Sequence, residues 1–213
     1  MGPRGAVVSS NGVFSLARTP ELRDDATGLG GELRTRLPDG TPVLVRPLRP
    51  SDAAELLDGF GHLSDETRRR RFLGAARRLT HEQLRALTNV DGYDHLALGL
   101  AVLEGEGPLE SLREGHGIAV ARSIRDRDEH DLAEYAIVVA DAWQRRGAGR
   151  LLTRELLRRA RLADVVRWRA VMLADNRAVR RLLDGCSRES SRRVLGFGAI
   201  EIIYDLCAAA AAS

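Results

Sequence analysis

Apolar and polar positions along the 213-residue chain follow two periods, and the change between them predicts the elements. In "ELRTRLPDGTPVLVRPL" two short alternating runs flank Pro38-Asp39-Gly40, and Asp-Gly supplies the positive φ of a tight turn, so a β-hairpin is expected. Three short helices are expected next. The first is capped by Ser51 ("DAAELLDGF"). The second, "LSDETRRRRFLG", has Ser64 as cap and Glu66 in its first turn. The third starts at Thr80, with Gln83 completing a capping box and Leu84 and Leu87 on one face. "HLALGLAVLE" reads as a buried strand, "GEGPLESLREGHG" as an insertion or long turn, "GIAVARSIRD" as the next strand, and "AEYAIVVADA" as another. A helix from about Gly147 to Leu162 buries Ala148, Leu152, Leu156 and Ala160 at fourfold spacing and turns Arg154 and Arg158 outward. A strand "VVRWRAVML", a short helix "NRAVRRLLD", and two strands "SSRRVL" and "AIEIIYDL" joined through "GFG" complete the pattern. The order predicts an α/β (α+β) fold of three layers, a mixed sheet between helices.

One segment departs from simple packing logic. "WQRRGAGRLLTRELLRRA" begins with two glycines and three arginines before its leucine-rich run, and it follows a strand. A helix start carries unpaired N–H groups and the positive end of the dipole, and glycines there let an anion approach the backbone. The segment is therefore expected to bind phosphate. Walker loops need Gly-Lys-Ser/Thr, and this chain has no lysine, its 33 basic residues all being Arg; a dinucleotide fingerprint needs a third glycine and an acidic ribose ligand.

Composition removes other classes. The 30 acidic residues nearly balance the arginines and leave a formal charge of +3, which argues against nucleic-acid binding. Two cysteines without metal spacing and five scattered histidines predict no metal site and no disulfide framework. No apolar run has signal-peptide or membrane-spanning length, so the expectation is a cytoplasmic protein with no membrane partner. Residues 1–31 read as a flexible leader, 32–207 as one domain and 208–213 as an alanine-rich tail.

Gln144-Arg145-Arg146-Gly147-Ala148-Gly149, placed between strand and helix, resembles the acetyl-CoA motif Gln/Arg-x-x-Gly-x-Gly/Ala of the Gcn5-related N-acetyltransferases (GNAT). "ADNRAV" after the following strand and the strand count on both sides extend the resemblance over roughly Leu37 to Leu206. "DGTPVLVRPLRPSDAAEL", "LSDETRRRRFLG", "VDGYDHLALGLAV" and "AEYAIVVADAWQRRGAG" are similar to the catalytic domain of bacterial protein-lysine acetyltransferases. The resemblance implies a three-layer GNAT-type fold with a mixed, mostly antiparallel sheet. It implies acetyl-CoA as cosubstrate without a metal, and an amine acceptor, with a lysine-bearing protein preferred over a small metabolite. It also implies that residues 144–149 cradle the pyrophosphate, while Ile137, Val138 and Val139 pair with the pantetheine arm.

Transfer to an amine needs a base, because an amine of pKa near 10 is protonated at neutral pH. Glu134 is the candidate: it stands in an otherwise apolar strand, where burial would raise its pKa, and at the position where the branch keeps its catalytic Glu. Alternation places Glu134, Ala136 and Val138 on one face and Tyr135, Ile137 and Val139 on the other; which face meets substrate stays open at this stage. Asn176 is read equally as a cofactor contact and as a helix cap. The Tyr that many members use as general acid has no counterpart in "RRLLDGC", so the acid is unassigned. The run Arg68–Arg71 reads most simply as a solvated helix face, and Cys186 as packing. A non-catalytic acyl-CoA sensor or interaction module is the competing function class.

Overall fold

The computed structural model describes residues 29–73 and 79–206. Most of the stretch read as leader and the alanine tail lie outside them. Eight strands form one sheet: β1 (Leu33–Arg36), β2 (Pro42–Pro47), β3 (His95–Glu104), β4 (Arg113–Arg125), β5 (Leu132–Val139), β6 (Arg167–Leu173), β7 (Arg188–Gly196) and β8 (Ala199–Asp205), in the order β1-β2-β3-β4-β5-β6-β8-β7. Every neighbouring pair is antiparallel except β5 and β6. The helices are α1 (Ala53–His62), α2 (Asp65–Phe72), α3 (His81–Thr88), α4 (Ala148–Leu162) and α5 (Arg177–Asp184).

Local signals account for several of these elements. Gly40 takes φ 87° in the β1–β2 turn, as Asp-Gly demands. Ser64 Oγ accepts the Thr67 N–H at the start of α2, and Thr80 and Gln83 exchange both bonds of a capping box at α3. Two expectations fail locally. Ser51 does not cap α1; a short 3₁₀ turn over Pro50–Asp52 precedes it, and Asp52 accepts the Arg49 N–H. The segment read as a long turn is one only as far as Leu112, with a 3₁₀ turn over Leu109–Ser111; its last five residues already belong to β4, which begins at Arg113. Its first residues are mostly exposed and lack apolar alternation, and register shifts interrupt its pairing with β3.

Side-chain alternation along β5 sorts the two faces. Tyr135 points to the α4 side, where its hydroxyl lies 2.8 Å from Thr153 Oγ1 and its ring 4.7 Å from that of Trp168. Trp168 is fully buried and donates its Nε1–H to Ser123 Oγ at 3.0 Å. Ala148, Leu152, Leu156 and Ala160 of α4 close the main core on this face. Arg159, 1% exposed, binds the Leu29 and Gly31 carbonyls and Glu155, so packing begins within the stretch read as leader. Helices α1 to α3 cover the opposite face.

The parallel β5–β6 ladder is short. It holds only Leu132↔Arg167, Ala133↔Trp168 and Glu134↔Arg169, after which β6 continues against β8 while β5 keeps β4 alone. The sheet forks immediately beyond Glu134.

Candidate active site at the fork

The two loops after the forked strands define the mouth of the gap. Beyond β5, a 3₁₀ turn over Asp141–Trp143 leads into Arg145 at φ 61° and Gly147 at φ 94°, with negative φ between and after them. Alternation of sign turns successive N–H groups toward one concavity, an anion-binding nest at a helix start. No side chain caps α4, and the Leu151 N–H reaching Gly147 O makes the first bond from the helix to the loop.

Each glycine also has a packing reason that the sequence did not show. A Cβ at Gly147 would lie 2.6 Å from Pro38 Cδ, in the β1–β2 hairpin. At Gly149 it would meet Leu182 Cδ1 at 3.2 Å and Val139 Cγ2 at 3.6 Å, where α5 approaches the end of β5. The side chains of the motif serve the loop rather than the concavity. Arg146 Nε binds Asp39 Oδ2 at 2.8 Å and the guanidinium stacks 4.1 Å over Trp143. Gln144 Nε2 reaches Val139 O at 3.2 Å and Thr67 Oγ1 at 3.1 Å. Arg145 is exposed and Ala148 buried. Asn176 Oδ1 accepts the Val179 N–H, the cap reading of that residue. On β5, Ile137 packs into the main core and Val138 lines a cavity under α1 to α3.

Glu134 is exposed, so the burial expected from its apolar neighbours is absent. It is the last β5 residue in the ladder with β6 and lies on the face of α1 to α3. Two residues missed in the sequence stand with it. Arg122 of β4, opposite Ala136, and Arg71 of α2 both line the cavity and interact electrostatically with Glu134. The solvated reading of Arg68–Arg71 holds for Arg69, which is exposed and pairs with Glu66, and fails for Arg71. An Arg inside the apolar run "IAVARSI" was the available signal for Arg122. Burial, then Arg71, push the Arg122 guanidinium down to about 9 against the pull of Glu134, leaving it charged at neutral pH. Among the described residues no group of three His, Cys, Asp or Glu side chains is arranged to hold a metal ion.

Known proteins resemble this chain in sequence and in fold. A family model described as "Acetyltransferase (GNAT) domain" matches residues 43–186. Acetyltransferase Pat of Mycolicibacterium smegmatis is 34% identical over 158 residues, 74% of this chain and 44% of Pat, so the matched region is less than half of that relative. Acetyltransferase PA5475 of Pseudomonas aeruginosa is 32% identical over 146 residues, 68% of this chain and 74% of its own. The crystal structure of the GNAT domain of S. lividans PAT superposes with a TM-score of 0.69 at 27% identity, covering 82% of this chain and 97% of that domain. With its fork, its nest and a family match over most of the described residues, the chain belongs to the GNAT acetyltransferase family.

Proposed function

We propose that the protein moves an acetyl group from acetyl-CoA to an amine, a protein lysine being the acceptor class, with Glu134 as general base. The observation that carries the reading is the position of Glu134, at the last paired residue before the sheet forks. In this reading the nest from Arg145 to Ala148 holds the pyrophosphate, and the pantetheine arm lies along the β5 edge from Tyr135 to Val139, which has no β6 partner. Peptide N–H groups on that edge face the thioester oxygen and stabilise the charge it develops. The amine nitrogen bonds to the carbonyl carbon as the C–S bond breaks. Its proton passes to Glu134, and the departing thiolate, with an ordinary pKa near 8.5, takes a proton from water. The lysine preference rests on the likeness to protein-lysine acetyltransferases and to the PAT domain.

Glu134→Gln tests the assignment. CoA affinity by calorimetry is expected to persist while turnover falls about 10²-fold or more. The residual rate should climb with pH as the amine loses its proton unaided. Full activity in Glu134→Gln would move the base elsewhere. CoA binding without turnover of any amine, by either protein, would favour an acyl-CoA-binding module.

A further inference from the structure

The cavity beneath α1 to α3 has two chemically different ends. At one, Arg46 is saturated: Asp52 takes two bonds at 2.8 and 2.9 Å, and Glu114 a third at 2.7 Å. At the other stand Arg71 and Arg122, and among the described residues neither has a carboxylate within salt-bridge distance. Arg122 is 5% exposed; its Nη1 reaches Leu87 O at 3.2 Å and faces His95 Nε2 at 3.4 Å. Burial, then Arg122, push His95 down to about 4, so it adds no charge at neutral pH. Arg71 lies 4.9 Å over the Phe72 ring. A guanidinium carries five N–H donors in a fixed fork, so most of this capacity is unused.

Charge counting at this end leaves an excess. Both guanidiniums line the cavity and interact electrostatically with Glu134, and the sum is one positive charge without a partner. A buried cation without a counterion is costly, and paired arginines match a carboxylate in geometry as well as charge. An ammonium approaching Glu134 would meet repulsion from both arginines unless its own molecule brings an anion.

We propose that Arg71 and Arg122 form a carboxylate-binding subsite beside Glu134, so that the preferred acceptor amine has a carboxylate a few bonds away. An Asp or Glu flanking the acceptor lysine and the carboxylate of a free amino acid share this chemistry. The amine in the proposal rests on the acetyl-transfer reading above; the anion subsite does not.

Capped Asp-Lys-Glu and Gly-Lys-Gly peptides, free lysine and lysine amide separate the two sources. Each is assayed for kcat/KM with acetyl-CoA and for calorimetric binding to the CoA complex, in the wild type, Arg71→Gln and Arg122→Gln. The wild type is expected to favour the acidic peptide, or free lysine over its amide, by about tenfold or more, and each variant to bring that ratio toward one. Arg71→Gln, on a half-buried helix position, decides the matter should Arg122→Gln not fold. Equal use of acidic and neutral acceptors by the wild type, or a ratio unchanged in the folded variants, overturns the subsite. So does a preference for succinyl-CoA over acetyl-CoA that the variants lose, because the carboxylate would then belong to the donor. If no amine is turned over, the acetyl-transfer reading fails, and the binding ratios still decide the subsite.

Discussion

Gly147 is held by two constraints at once. Its φ of 94° lies where a Cβ is strained, and the space a Cβ would take is filled by the Pro38 ring. A ring fixed in a hairpin yields less than the tip of a flexible chain, which is what Gly149 faces in Leu182. Gly147→Ala is therefore expected to cost about 1–3 kcal/mol in urea unfolding, the range for a non-glycine residue forced into the left-handed region. It should also weaken CoA in calorimetry, because relief of the strain flattens the nest. A Gly147→Ala protein of wild-type stability and CoA affinity would show that neither constraint acts as described. The sequence revealed that small residues were needed here and supplied an anion as the reason. Pro38 could not be read, since it reaches the site only through the pairing of the first two strands with the rest of the sheet.

At the scale of elements, α2 lies across the mouth of the fork and is tied to both loops. Asp141, after β5, accepts from Ser64 N–H at 2.8 Å and from the Ser64 and Thr67 hydroxyls at 2.7 Å each; Arg69 reaches Asp175, after β6, at 3.4 Å. Partial burial opposes ionisation of Asp141, but the bonds from Ser64 and Thr67 outweigh it and hold the carboxyl below its ordinary range. The helix carrying Arg71 is thus fastened to the loop that precedes the nest. Asp141→Asn is expected to speed hydrogen exchange in α2 and in residues 141–147 together, and to raise KM for both substrates with little loss of global stability. Faster exchange in only one of the two segments would mean that they are not coupled through this carboxylate. The Arg69–Asp175 pair is exposed and screened, so its removal serves as the control and should leave both exchange and stability nearly unchanged. The caps at Ser64 and Thr80 were legible because donor and acceptor lie three residues apart. Asp141 was not, because its partner Ser64 lies 77 residues earlier, and Arg71 was taken with its neighbours because the inward turn of one position in four depends on where the helix docks.

For the whole molecule, the order of strands and helices was legible because each element carries its own period, and the fork was not, because a strand's pattern does not record where its partner leaves it. The two faces of the sheet also differ in a way that no single segment announces. Helix α4 buries eight of its residues, five of them in the main core with Trp168 and Tyr135, whereas α1 and α3 bury only Phe60, Leu84 and Thr88 and α2 buries none. A smaller cluster of Leu48, Val90 and Ala97 lies on the side of α1 to α3. Apolar burial stabilises by roughly 25 cal/mol per Å², so the layer that roofs the proposed acceptor cavity is the weaker one. Sites that must open are drawn from such layers. Native-state hydrogen exchange in increasing urea is therefore expected to show α1 to α3 opening as a unit below the global unfolding free energy, while α4, β5 and β8 exchange only by global unfolding. A bound acidic peptide at about 100 times its dissociation constant should raise the opening free energy of α1 to α3 by about 2.7 kcal/mol, provided that the open form does not bind it. Equal free energies and equal urea dependence for α1 to α3 and α4 without ligand would show a single cooperative unit, and the acceptor would then have to reach Glu134 without the roof lifting.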